Sequence, residues 1–248
     1  MNELYGDQPA SEEGVINRLE YRPLEGFVYA ISPFNFTALA ANLPMAPVMM
    51  GNTVVWKPAT TSLLSSWYLM KIFMEAGVPA GVLNFMPGPG SVGSGVVLKS
   101  KDLAGIHFTG STQVFNGLWK GVAENLSIYR SYPRLVGETG GKDFVFVHAS
   151  ADIKAAATAM IRGAFEYQGQ KCSATSRAYI PASRWDELKA KFDIMMPQVR
   201  TGDPRDFRNF VNAVIDEVSF DNCMEYIEYA KSSPKAEILF GGTGDKSV

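Results

Sequence analysis

Apolar residues along the first half of this chain fall into short continuous runs that alternate with longer stretches of helical spacing. The run Gly26-Phe27-Val28-Tyr29-Ala30-Ile31, ended by Ser32-Pro33, predicts a buried strand, and Asn52-Thr53-Val54-Val55-Trp56-Lys57, closed by Pro58, predicts a second. A helix is expected from about residue 62 to 76, with Thr60 and Thr61 in its N-cap region and Gly77 and Pro79 as its stop signal. Val82-Leu83-Asn84-Phe85-Met86 reads as a third strand, so residues 52–86 form a βαβ unit and imply a parallel sheet. A short helix near 92–99, a strand over 105–108, a helix after Gly110 and a strand over 134–137 continue the alternation.

Gly140-Gly141 marks a break, so residues 1–141 and 142–248 read as two domains. Beyond it the pattern predicts a strand over 144–147 and a helix capped near Ser150 or Asp152 that runs toward Phe165. A strand over 177–180, helices near 184–196 and 219–231, and a final strand over 236–240 complete the series. No internal repeat or low-complexity tract interrupts it. The fold class is α/β.

Composition narrows the function classes. The 248 residues carry 23 basic and 25 acidic side chains, a formal charge of −2, without a long run of either sign, so the basic footprint of a nucleic-acid binder is missing. Apolar stretches are interrupted by Pro44, Pro47, Gly51 and Gly77 and do not suit a bilayer span. Two cysteines without framework spacing point to a reducing compartment, and the first residues lack the features of a signal peptide. A cytoplasmic setting is expected in a bacterium and the mitochondrial matrix in a eukaryote.

Several segments could carry chemistry. Cys172 follows a helical run and sits in the Gly/Gln-rich turn Gln168-Gly169-Gln170-Lys171-Cys172-Ser173, where a thiol could be exposed; a free cysteine is otherwise a small buried hydrophobe. Glu138 lies upstream as a possible carboxylate base. Gly88-Pro89-Gly90-Ser91-Val92-Gly93 matches the spacing of a dinucleotide loop, yet the next strand ends in Thr109 rather than a carboxylate, which favours a tight turn. Phe108-Thr109-Gly110-Ser111-Thr112 runs into a helix N-terminus, which could take a pyrophosphate or simply be capped by Ser111. Lys57 ends a strand, either solvated or meeting a ribose hydroxyl, and Asn35 is either an N-cap or an oxyanion donor. His107 and His148 show no metal-ligand spacing, although His148 could partner Cys172 in a hydrolase. Cys223 reads as a helix packing residue.

Taken in order, Ser32-Pro33-Phe34-Asn35-Phe36, Val55-Trp56-Lys57-Pro58-Ala59, Gly88-Pro89-Gly90, Phe108-Thr109-Gly110-Ser111-Thr112, Gly137-Glu138-Thr139-Gly140-Gly141-Lys142 and Gly169-Gln170-Lys171-Cys172-Ser173-Ala174 resemble the aldehyde dehydrogenase superfamily. The wording Tyr132-Pro133-Arg134-Leu135-Val136-Gly137-Glu138 and Phe165 to Ala174 is similar to the branch that oxidises L-glutamate γ-semialdehyde in proline breakdown. The resemblance implies a Rossmann-type NAD-binding domain over 1–141 and the first part of an α/β catalytic domain over 142–248. It implies Cys172 as nucleophile, Asn35 as oxyanion donor and Glu138 as the base that activates water. Lys57, Ser111, Gly88 and Gly110 would bind NAD, and Ser173 and Phe36 the substrate. No metal is implied; a homo-oligomer is, for the full-length protein.

Two departures qualify it. Thr60 stands where many relatives carry a glutamate that holds the ribose hydroxyls, so NADP is not excluded. The chain also resembles only part of the family's length, which leaves a non-catalytic cofactor-binding fragment as one alternative; another semialdehyde dehydrogenase is a second.

Overall fold

The computed structural model describes residues 2–247, which divide into two compact units that part between Thr139 and Gly140. The first unit contains α1 (Asn2–Gly6), β1 (Phe27–Ile31), α2 (Thr37–Met49), β2 (Thr53–Lys57), α3 (Leu63–Glu75), β3 (Leu83–Phe85), α4 (Gly90–Val97), β4 (Leu103–Gly110), α5 (Thr112–Glu124) and β5 (Arg134–Thr139). Its five strands are all parallel, in the order β3-β2-β1-β4-β5. The class read from the sequence is correct: an α/β, Rossmann-type parallel sheet.

The inner strands β1, β2 and β4 are buried on both faces, as parallel strands with crossover helices are, while the edge strand β5 buries no residue. Val28 and Ala30 of β1 turn to one face, where they join Val54, Trp56, Leu83 and Ala40. Tyr29, between them, turns to the other and joins Leu103, Ile106, Phe108, Leu118 and Val122. That alternation follows from the two-residue period of a strand. Helix α3 ends as Gly77 leads one to expect. Gly77 N–H donates to the Met74 carbonyl at 3.1 Å and Val78 N–H to the Phe73 carbonyl at 3.0 Å, with Gly77 at φ +96°. Its start differs from expectation: Thr60–Ser62 forms a 3-10 turn, and neither threonine caps.

The second unit contains β6 (Asp143–Phe146), α6 (Ile153–Phe165), β7 (Thr175–Tyr179), α7 (Ala182–Met195) and α8 (Glu217–Ser232). Strands β6 and β7 pair in parallel, and Val147, Ile153, Ala157, Met160 and Leu188 form the core beneath them. The Asp152 carboxylate caps α6 by accepting from Ala155 N–H at 3.0 Å. The strand expected over 236–240 does not form: no ladder partner is present for it among the described residues. Leu239 and Phe240 instead line an apolar cavity of about 300 Å³ with Met160, Ile161, Phe192 and Met196. An apolar run alone does not make a strand without backbone pairing. Among the described residues no helix is long and apolar enough to cross a membrane.

Trp56 is fully buried, and its indole N–H donates to Ser32 Oγ at 2.9 Å, tying the ends of β1 and β2 together. Trp56→Ala is expected to lower the unfolding free energy by about 3–5 kcal/mol in urea titration. A loss below about 1 kcal/mol would contradict this account of the core.

Candidate active site

Five parallel strands place the loops that follow them at one edge, the carboxyl edge of the first unit. After β1 come Ser32 to Phe36, after β2 Pro58, after β3 Met86 to Pro89, and at the ends of β4 and β5 stand Gly110-Ser111 and Glu138-Thr139. The chain leaves β1 to β2 and β3 on one side and returns to β4 on the other. The β1/β4 boundary is therefore a topological switch point, where open parallel sheets leave a crevice for a ligand. Asn35, Phe36, Lys57, Gly88, Gly110, Ser111 and Glu138 all lie at this edge. Opposite Glu138 in the ladder is Thr109.

Lys57 is not the solvated strand end that a lysine there usually makes: it is 8% exposed. Its Nζ donates to the Pro58 carbonyl at 2.9 Å, and burial lowers the pKa of the ammonium. A Cβ on Gly90 would stand 3.7 Å from Lys57 Cε and 3.9 Å from Nζ, so the lysine head lies under the first turn of α4. An ammonium has three donors, so this one can serve a hydroxyl besides Pro58. Ser111 is the N-cap of α5, its Oγ accepting from Val114 N–H at 3.3 Å. The cap leaves the first N–H groups of a thirteen-residue helix at the ligand edge. Gly88 takes φ +128° in the turn between β3 and α4. Asn35 is not an N-cap: Phe36 occupies that position in extended conformation, one residue nearer the helix, and no side chain caps it. The residues present fit a dinucleotide, with a buried cation and an open helix start at the same edge.

Cys172 and Ser173 belong to the second unit. The backbone ahead of them departs from ordinary conformation over Tyr167 (φ +56°), Gln168 (φ +57°) and Gly169 (φ +68°). For Tyr167 and Gln168 the left-handed region costs roughly 1–2 kcal/mol each, and such residues persist where their surroundings over-determine them. The surroundings are visible. The Glu166 carboxylate pairs with Lys171 Nζ and accepts from Arg162 Nη2 at 2.9 Å, which holds its pKa down at about 2. The Gln170 side-chain oxygen accepts from Ile215 N–H at 2.9 Å, and the Gln168 amide meets Asn212. Cys172 itself is half-buried in the following turn, and Ser173 is exposed.

The cysteine–histidine pairing does not form. Parallel register sets Asp143 beside Thr175, so Cys172 precedes the start of the β6–β7 ladder while His148 lies past its end. The strands alone separate those ends by about 10 Å. His148 is exposed, with Nδ1 2.8 Å from Ser150 Oγ, and His107 Nδ1 lies 2.9 Å from the Leu43 carbonyl. Cys223 is exposed on α8 and is not a packing residue; α8 buries none of its side chains. Among the described residues no group of three or more His, Cys, Asp or Glu side chains could hold a metal.

Sequence reasoning missed Glu166, Lys171 and Gly141 as residues that shape the turn before Cys172. A Cβ on Gly141 would lie 2.0 Å from the Cys172 carbonyl oxygen and 2.6 Å from its Cα, so only glycine lets the cysteine backbone approach here. The available signal is the Gly140-Gly141 pair, which the sequence reading takes as a domain boundary and as part of a family segment, not as a close approach to Cys172.

The aldehyde dehydrogenase family model matches residues 1–248. Among curated proteins, a mitochondrial Δ1-pyrroline-5-carboxylate dehydrogenase of Dictyostelium discoideum is 53% identical over 249 residues, covering 99% of this chain and 45% of that protein. The human mitochondrial protein of the same name is 48% identical over 247 residues, covering 99% and 44%. Among solved structures, the Δ-pyrroline-5-carboxylate dehydrogenase of Mycobacterium tuberculosis bound with NAD aligns with a TM-score of 0.95 and 50% identity, covering 99% of this chain and 46% of that one. A Thermus 1-pyrroline-5-carboxylate dehydrogenase with bound NAD aligns at TM-score 0.82 and 30% identity, covering 89% and 42%. The chain thus spans less than half the length of these relatives.

Gly141→Ala combines a φ of +154° with a backbone collision and is expected to cost about 1–3 kcal/mol of stability in the second unit. Denaturant titration followed by hydrogen exchange in α6 and β7 reads that loss. Unchanged protection would show that Cys172 does not need the close approach.

Proposed function

The chain belongs to the aldehyde dehydrogenase family, and we propose that it carries the nucleophile, water-activating carboxylate and cofactor cradle of an enzyme that oxidises L-glutamate γ-semialdehyde to L-glutamate. That aldehyde is the open form of Δ1-pyrroline-5-carboxylate. Residues 1–141 act as the NAD-binding domain and 142–248 as the beginning of the catalytic domain. The observation that carries the reading is the shared carboxyl edge of Asn35, Lys57, Ser111 and Glu138, in a chain 53% identical to a relative bearing that name.

When bound, NAD supplies the hydride acceptor. Lys57 would hold a ribose hydroxyl, and the α5 N-terminus capped by Ser111 would receive the pyrophosphate, beside Gly88 and Gly110. The Cys172 thiolate adds to the aldehyde carbon, and the oxyanion formed is stabilised by the Asn35 amide and the Cys172 backbone N–H. With bound NAD as the hydride acceptor, Cys172 would hold the oxidised carbon as a thioester. Glu138 takes a proton from water, whose oxygen attacks the thioester carbonyl, releasing the carboxylate product and the thiolate. Ser173 hydrogen-bonds the substrate carboxylate, and Phe36 flanks its aliphatic chain.

The test is NADH absorbance when the chain, alone and extended to the length of its relatives, meets NAD and glutamate γ-semialdehyde. Turnover abolished by Cys172→Ala and lowered about 10²–10³-fold by Asn35→Ala is the expected result. Silence from both forms would sink the substrate assignment. A second expectation concerns cofactor choice. Thr60 opens the 3-10 turn after Lys57 and offers no negative charge to repel a 2′-phosphate. Thr60→Glu is expected to weaken NADP binding relative to NAD by about tenfold in calorimetric titration. An unchanged ratio would place the 2′ position elsewhere.

A further inference from the structure

Glu166 closes α6 as its C-cap residue and stands at the entrance of the left-handed turn, while Lys171 stands at its exit, next to Cys172. The carboxylate between them takes two cations, Arg162 from the last turn of α6 and Lys171 from beyond the turn. Exposed ion pairs ordinarily contribute little, because two long side chains must be ordered against solvent. This one differs in three respects. The Lys171 side chain is only 19% exposed, so its ammonium is confined. The pair spans backbone that local preference would not adopt, at Tyr167 and Gln168. The residue after Lys171 has its Cα and carbonyl pressed against Gly141, so displacement of Lys171 passes directly to Cys172.

We propose that Glu166 is a positioning residue for Cys172: its carboxylate ties Lys171 to Arg162 across the left-handed turn and fixes the backbone from which the thiol projects. The proposal rests on the reading of Cys172 as the nucleophile, and it adds a residue outside the reacting groups on which the thiol's placement depends. Loss of either charge opens the same turn, so Glu166→Gln and Lys171→Met act in one direction.

The chain carries its own reference, since Cys223 is an exposed thiol on α8, a separate element. Brief labelling with iodoacetamide, quantified by mass spectrometry of the two cysteine peptides, gives the ratio of Cys172 to Cys223 modification. Glu166→Gln and Lys171→Met are each expected to raise that ratio about threefold or more, as the half-buried thiol becomes accessible through local opening. Lys171→Arg, which keeps the cation, is expected to hold it within about twofold of the native value. An unchanged ratio in Glu166→Gln overturns the proposal. So do shifts of opposite sign in Glu166→Gln and Lys171→Met, which would trace the effect to net charge instead of turn closure. Should circular dichroism show Glu166→Gln unfolded, Lys171→Met and Lys171→Arg decide by the same criteria. Labelling uses neither aldehyde nor NAD, so a failed clamp leaves the oxidation reading intact, and absent turnover leaves the clamp intact.

Discussion

The first unit depends on one constraint: its five strands run in the same direction. A parallel ladder forces every connection to cross back over the sheet, so each strand must be followed by a loop at the same edge. Residues far apart in sequence, Asn35 and Glu138 among them, are thereby delivered to one side of the unit. Burial makes the arrangement rigid. Tyr29, Ala30, Val54 and Trp56 are fully excluded from solvent, and the two apolar clusters grip β1 from opposite faces. A shift of β1 by one residue would exchange the two clusters' side chains, so its register, and with it the position of the Asn35 loop, is strongly specified.

The second unit solves a different problem. The turn ahead of Cys172 adopts backbone conformations that Tyr167 and Gln168 do not prefer, and the Glu166–Lys171 ion pair and the Gln170–Ile215 hydrogen bond hold it at both ends. The pH consequence has a definite sign. Because the folded Glu166 carboxyl is held at about 2, below its ordinary value of 4.5, its contribution is fully present above the ordinary value and is lost as pH falls toward 2. At neutral pH the turn therefore keeps its full ionic support.

Much of this was legible in the sequence, and the reasons differ by element. Strands β1 and β2 and helices α3 and α6 carry continuous apolar runs or marked ends, such as Asp152 before α6 and Gly77 after α3, and local chemistry suffices to find them. Residues 236–240 have a strand's composition without a strand's partner, a property no local pattern reports. The burial of Lys57 is likewise a tertiary fact: the turn at Gly88–Gly90 closes over it. Glu166 and Lys171 are five apart, a spacing that pairs side chains on neither a helix nor a strand. They meet only because Tyr167, Gln168 and Gly169 turn the chain left-handed, and two of those three residues carry no compositional mark of that conformation. The family segments identified the candidate residues; the fold supplied the reasons for where they stand.

The central claim is that the carboxyl edge around the β1/β4 switch point receives NAD. Amide chemical-shift mapping of the labelled chain during NAD titration tests it most directly. The account predicts saturable shifts confined to residues 32–36, 57–60, 88–90 and 109–114, all at that edge, and their loss in Lys57→Ala. Shifts clustered at the amino ends of the same strands, or in the apolar cavity lined by Leu239 and Phe240, would contradict it, as would saturable binding indifferent to Lys57.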